Sequence, residues 1–216
     1  MVSTRDLAEL PDIDALRRLM QSLAVLDAIL MPEWQYRLFS FNSKWSKGEQ
    51  MGSMRDGQGD DLFAHFTKAG CFLKGFAHEA PMTPYLEQPK RVWPGVLDSV
   101  PKAFAKSLAE PAFSMEDTTF CVWRLKGDPA WSCGDIKYPK AKDPDGSGWL
   151  LSYYDGKPAT YRKYAADYFE ADVPLKLVRA VYAHQPLTEE MVEALNPETA
   201  LRELSDDLAK IGYPAK

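Results

Sequence analysis

The sequence predicts an α+β fold: an antiparallel or mixed sheet, built from one strand and two hairpins, packs against an N-terminal helix, and the C-terminal third is helical. Three observations support this prediction. Apolar residues recur at three- and four-residue steps near the N-terminus, apolar runs separated by turn residues fill the middle of the chain, and helical periodicity returns from Gly148 onward. Because strands and helices do not alternate regularly, a doubly wound sheet is not expected.

The first predicted element is a helix over residues 12–30. Asp12 is a suitable N-cap, and Pro32 ends the pattern. The residues of its apolar stripe are Ile13, Leu16, Leu19, Met20, Leu23, Leu26 and Leu30. The residues predicted on its exposed side are Arg17, Arg18, Gln21 and Asp27. The stripe predicts that the helix packs on the sheet.

An aromatic-rich strand is predicted over residues 34–41, and a long polar loop over residues 42–61. Connections of this length are uncommon in compact domains unless they are functional. Tryptophan, methionine and arginine are enriched at interfaces, so Trp45, Met54 and Arg55, with the adjacent Asp56, are candidate binding residues. The alternative is that the loop folds back and buries Trp45 and the methionines.

Two hairpins complete the predicted sheet. The first joins residues 62–67 to residues 71–76 through a turn at Gly70. The second joins residues 118–125 to residues 130–136. A five-residue loop would place Trp123 opposite Trp131 and Cys121 opposite Cys133, whereas a four-residue loop would remove both pairs. Between the hairpins, short helices are expected after Pro94 and Pro101.

Four helices are predicted in the C-terminal third of what we interpret as one domain. The polar segment 140–148 is a candidate boundary between a helix-plus-sheet core, residues 1–139, and a helical subdomain, residues 149–216. The helices begin at Pro158, Pro174, Thr188 and Glu198, and Gly212 closes the last one.

The composition and the absence of several sequence motifs argue against some classes of function. A net charge of −5 argues against nucleic-acid binding, because phosphate recognition needs basic patches. The three cysteines form no Cys-x-x-Cys pair, and no secretory signal or membrane span is evident, so a cytoplasmic location is expected. No nucleotide-binding glycine motif or Gly-x-Ser-x-Gly element occurs, so we predict neither a cofactor nor a catalytic residue.

Acidic residues and a histidine stand at the ends of the predicted strands. His78 and Glu79 follow the first hairpin, and Glu116 and Asp117 precede the second. Side chains at one rim of the sheet could bind a partner, or could ligate a divalent metal in a hydrolase. Because their spacing is not diagnostic of a metal site, solvated turn carboxylates are the favoured interpretation.

Six segments carry a resemblance to a known family: FNSKW, GSMRDGQGDD, KGFAHE, VWPGVLDSVP, EPAFSMEDTTFCVWR and HQPLTEEMVEALNPE. Together they resemble a family of uncharacterised bacterial cytoplasmic proteins over residues 34–214. That family has no assigned activity, so the resemblance implies no catalytic residue. Small acidic α+β proteins also resemble toxin-immunity proteins in general character, which is an analogy of class alone.

The sequence therefore predicts a non-enzymatic binding protein of the bacterial cytoplasm, in one version of immunity type, that holds a protein partner on an acidic, aromatic-edged surface. The predicted binding residues are Trp45, Met54, Arg55, Asp56, His78, Glu79, Glu116 and Asp117. The alternative is a metal-assisted hydrolase or small-ligand enzyme with a His/carboxylate site. A third hypothesis is a structural subunit of an oligomer that uses the aromatic helix at residues 158–170.

Overall fold

A five-stranded antiparallel sheet lies at the centre of the computed structural model, which describes residues 2–216, and the predicted α+β fold is confirmed. The strands are β1 (Phe39–Ser46), β2 (Glu49–Arg55), β3 (Asp61–Phe66), β4 (Gly70–Phe76) and β5 (Phe120–Leu125). Each strand pairs with the one that precedes it in the chain, so the sheet is a meander with β1 and β5 at its edges.

The α-helices are α1 (Ile13–Leu30), α2 (Ala105–Leu108), α3 (Ser147–Leu150), α4 (Pro158–Tyr168), α5 (Leu175–Tyr182), α6 (Glu189–Leu195) and α7 (Ser205–Ile211). Helix α1 begins as predicted, because the Asp12 carboxylate accepts a hydrogen bond from the Ala15 N–H at 2.9 Å. It packs on β1 and β2 and also contacts α5, α6 and α7. Within residues 2–216, no helix is long and apolar enough to cross a membrane.

The predicted long loop over residues 42–61 is wrong, because most of it forms a hairpin. Strand β1 continues to Ser46, and Gly48 has a φ of 75° in the turn that leads back into β2. Strand β2 is absent from the prediction because its sequence, EQMGSMR, is largely polar. The start of the predicted first strand is also different, since Trp34–Tyr36 is a 3-10 turn.

The second predicted hairpin is wrong in its outer strand. Only an isolated bridge joins Trp123 to Ser132, with both N–H···O distances at 2.8 Å. This register is one residue away from the five-residue-loop prediction. Side chains alternate along a strand, so the shift places Trp123 and Trp131 in different cores. Cys121 and Cys133 are likewise separated, and both are free thiols.

The sheet separates two apolar cores. One face packs against α1 and the C-terminal helices. The other face is covered by the segment between β4 and β5, whose buried side chains include Val96, Phe104 and Phe113. The helix expected after Pro101 is present as a 3-10 turn, Lys102–Phe104, that continues into α2, whereas only turns follow Pro94.

Three of the four predicted C-terminal helices are present as α4, α5 and α6. The fourth is split into a 3-10 turn, Leu201–Leu204, and α7, which Gly212 caps with a φ of 74°. Asp145 and Ser147, in the predicted polar boundary, are buried and bond to Thr4. The division into subdomains at residues 139 and 149 stays a prediction.

Two strand glycines allow a test of how tightly the sheet faces are packed. A Cβ atom at Gly75 would collide with the buried Phe120 ring, whereas one at Gly52 would meet the flexible end of Met20. We expect Gly75→Ala to lower the free energy of unfolding by about 1–3 kcal/mol. Gly52→Ala should cost less, because a thioether adapts its rotamer. Urea denaturation measures both, and equal losses would contradict this packing.

Candidate functional site

A cleft of about 710 Å³ opens between α4, the segment around α3 and the β2–β3 turn. Its volume lies in the range of ligand-binding sites. We call it the aromatic cleft and define it by six of its lining side chains: Asp56, Trp149, Tyr153, Tyr164, Asp167 and Tyr168.

Four aromatic rings form a continuous wall of the aromatic cleft. The ring centroids of Trp149 and Tyr153 are 5.4 Å apart, and those of Tyr153 and Tyr164 are 5.6 Å apart. Tyr164 stacks on Tyr168 at 5.4 Å with an interplanar angle of 21°. Trp149 and Tyr168 stand at the mouth, 42% and 48% exposed, whereas Tyr164 is buried. The wall therefore runs from the surface into the core.

Local sequence features position both ends of this wall. Pro158 is the first residue of α4, and the four-residue spacing of Tyr164 and Tyr168 places them on one side of that helix. At the other end, the Asp143 carboxylate accepts hydrogen bonds from the N–H groups of Gly148 at 3.0 Å and Trp149 at 2.9 Å. These hydrogen bonds satisfy two N–H groups in the first turn of α3 and so fix the position of Trp149.

The β2–β3 turn forms the facing wall: its Asp56 lines the cleft, and its Asp60 connects the cleft residue Trp149 to His78, a second predicted site residue. Oδ1 of Asp56 accepts hydrogen bonds from the N–H groups of residues 58, 59 and 60, at 2.8, 3.1 and 2.9 Å. Asp60 accepts from the Trp149 indole at 3.1 Å and lies 2.7 Å from Nδ1 of His78. The hydrogen bond to Asp60 raises the pKa of His78. Glu79 is also exposed, with Oε1 3.8 Å from Nε2 of His78.

The other acidic pair lies at the same end of the sheet but forms separate contacts. Asp117 pairs with Lys90 at 2.7 Å, and Glu116 is exposed. Nearby, the buried Lys74 ammonium pairs with Asp61 at 2.7 Å. Across the part of the chain that the structure describes, no group of three or more His, Cys, Asp or Glu side chains is placed to hold a metal ion.

Met54 and Trp45, like Glu116 and Asp117, lie away from the aromatic cleft. Met54 is 0% exposed, so its interpretation as an interface residue is wrong: in β2 its side chain points into the core between the sheet and α1. Trp45 is partly exposed, but it lies at the opposite end of the sheet, near the β1–β2 turn. Its indole donates to Glu110 at 3.2 Å. Arg55 is exposed and stands over the Trp34 ring at 5.8 Å.

A second constellation has the residue types of a catalytic triad. Ser107 Oγ lies 3.0 Å from His65 Nδ1, and His65 Nε2 lies 3.3 Å from Glu49 Oε2. Ser107 and His65 are both fully buried, and burial lowers the pKa of His65. Lys106 already binds Glu49, at 2.7 Å. A substrate has no access to this serine, so we assign the group to the support of α2 on the sheet.

Asp27 is the residue beneath the cleft that sequence reasoning misplaced. It was predicted on the exposed side of α1, but it is fully buried because the sheet and the C-terminal helices cover α1 on both sides. Its carboxylate accepts hydrogen bonds from the Phe39 N–H at 2.9 Å and from the hydroxyls of Tyr161 at 3.0 Å and Tyr164 at 3.4 Å. Burial raises the pKa of Asp27 to about 7. An acid inside the apolar run LAVLDAILM was the available signal.

Comparisons of the sequence with protein-family models, with curated proteins and with solved structures each give no match. The family resemblance over residues 34–214 therefore stays a prediction. The chemistry of the aromatic cleft is inferred from its own geometry.

Asp27 should make stability depend on pH. Its pKa is raised from 3.8 to about 7 in the folded state, so the folded protein keeps a proton that the unfolded chain has released. The contribution of Asp27 to the free energy of unfolding therefore falls as pH rises from about 4 to about 7, and it is constant above that. Asp27→Asn mimics the protonated acid and should remove this dependence.

Urea denaturation of both proteins at a series of pH values measures the difference. Asp27→Ala is the matched control: it leaves the Phe39 N–H and two hydroxyls without their partner, so it should be about 1–3 kcal/mol less stable than Asp27→Asn, by the same amount at every pH. A constant difference between wild type and Asp27→Asn across this pH range would contradict the assignment.

Proposed function

We propose that this chain is a non-enzymatic binding protein that holds a protein partner on the surface around the aromatic cleft. One observation supports this most strongly. Among the described residues, seven large hydrophobic side chains are exposed, and four of them are grouped here: Trp34, Tyr36, Trp149 and Tyr168. We call these four residues the aromatic surface. Exposed aromatic residues are the typical anchors of protein interfaces.

The aromatic surface is continuous across two elements. The Tyr168 hydroxyl donates a hydrogen bond to the carbonyl of Tyr36 at 3.2 Å, which joins the end of α4 to the 3-10 turn that also carries Trp34. A second groove, lined by Trp34 and Arg55, shares Leu38 with the aromatic cleft. Arg55 and Asp56, both predicted binding residues, therefore contribute to this proposed interface.

The state of the nucleophilic side chains favours binding over catalysis. Ser107 and His65 are buried, as described above. Cys71 and Cys121 are also fully buried, and burial raises the pKa of both thiols, which makes them poor nucleophiles. These four side chains are therefore poorly placed to act as nucleophiles, which supports a binding function.

Immunity-type inhibition in a bacterial cytoplasm is the specific version of this proposal. Such a protein acts by covering the surface of its partner, so it needs a rigid interface and no chemistry of its own. The net charge of −5 favours a basic partner through electrostatic steering.

The proposal is tested by capture from a lysate of the source cells with the tagged full chain. The variant Trp149→Ala/Tyr168→Ala should weaken binding of the captured partner by about a hundredfold or more, because two central aromatic anchors are removed. Tyr85→Ala is the matched control, since Tyr85 is equally exposed and does not belong to the aromatic surface. Circular dichroism verifies that each variant folds.

Retention of the same partner by all three proteins would contradict the proposal. Self-association would contradict it as well: gel filtration would then show wild type as an oligomer and the double variant as a monomer. We expect the purified chain to elute as a monomer.

A further inference from the structure

We infer that the aromatic cleft receives a cationic side chain, arginine or lysine, that the protein partner presents. This inference rests on the proposed function and names the group that the partner would insert. It follows from three properties of the cleft: the aromatic wall, the charges that line it, and its dimensions.

The wall offers π-systems from the mouth to the floor. Cations are attracted to the faces of tryptophan and tyrosine rings within about 6 Å of the centroid. Trp149 and Tyr168 are exposed at the mouth, and Tyr153 and Tyr164 continue the wall inward. The guanidinium of Arg55 already lies over the nearby Trp34 ring at 5.8 Å, which shows that this region accommodates such contacts.

The charges that line the cleft favour a cation. Two carboxylates, those of Asp56 and Asp167, and one ammonium, that of Lys163, line the cleft. Oδ1 of Asp56 is fixed by three backbone N–H groups, and Asp167 takes part in none of the ion pairs within residues 2–216. Burial, together with the carboxylates of Asp167, Asp27 and Asp56, raises the pKa of the Tyr153 hydroxyl to about 12. The lining side chains thus include two carboxylates and one ammonium, which favours a cationic ligand.

The dimensions suit a long side chain with a charged end. A volume of about 710 Å³ is sufficient for an arginine or lysine side chain with part of its backbone. The alkyl part of that side chain would pack on the rings, and its charged end would meet the carboxylates. A neutral group would gain no attraction from the carboxylates of Asp56 and Asp167, and an anionic group would be repelled by them.

The test is an NMR titration of the full chain with N-acetylarginine N-methylamide and N-acetyllysine N-methylamide. The neutral controls are the corresponding citrulline and Nε-acetyllysine compounds. The Trp149 indole N–H, which is bonded to Asp60, is the reporter. We expect saturable shifts with at least one cationic probe and none with its neutral counterpart.

Two variants locate the binding site. Asp167→Asn and Tyr168→Leu should each weaken binding of the cationic probe about five- to tenfold. Asp135→Asn is the matched control, because it removes one exposed carboxylate that does not line the cleft. It should leave the affinity nearly unchanged.

Equal binding of cationic and neutral probes, no binding of either cation, or an unchanged affinity in Asp167→Asn would overturn the inference. Partner capture separates this failure from that of the proposed function. If capture still requires Trp149 and Tyr168, only the cationic inference fails. If capture is also independent of these two residues, the proposed function fails with it.

Discussion

The buried carboxylate of Asp27 joins the three parts of this protein on which the aromatic cleft depends. It lies in α1 and accepts hydrogen bonds from the start of β1 and from two tyrosines of α4. Burying a carboxyl group in an apolar core without hydrogen-bond partners costs a large amount of free energy. Movements that separate Asp27 from these donors are therefore unfavourable. Tyr164 is both a partner of Asp27 and the inner part of the cleft wall, and the wall is therefore anchored in the core.

The two sides of the aromatic cleft are positioned by different parts of the fold. Helix α4 rests on α1 through the tyrosines that bond to Asp27. The opposite side is the β2–β3 turn, where Asp56 organises the backbone and Asp60 links His78 to Trp149. Because both sides are fixed by hydrogen bonds in the chain itself, little conformational freedom remains to be lost when a ligand binds.

The sequence predicted those elements correctly in which a periodic run of apolar residues is bounded by a capping or turn residue. Helix α1 with its Asp12 cap, the β3–β4 hairpin and α4 were all predicted in this way. It failed at β2, where EQMGSMR lacks β-branched residues, and at residues 130–136, where a single bridge replaces the expected strand. It also failed at Asp27, because an amphipathic stripe assumes one exposed side, whereas α1 is covered on both.

The candidate site was only partly predictable for a related reason. Asp56 was predicted and lines the cleft, and His78 was predicted and lies beside it. No local motif marks Trp149 and Tyr153 as site residues, because their place in the cleft depends on elements that are distant in the sequence and pack against them. The aromatic spacing of α4 was recognised, but as an oligomer face. Only the tertiary structure brings Trp149 and the tyrosines of α4 into one wall.

The central claim is that a buried Asp27 connects the core to the wall of the cleft. The most direct measurement is a ¹³C NMR titration of the Asp27 carboxyl carbon, recorded together with the ring signals of Tyr161 and Tyr164. The account predicts a midpoint near 7, with the tyrosine signals shifting at the same pH. A midpoint near the ordinary value of 3.8, with unmoved tyrosine signals, would contradict it.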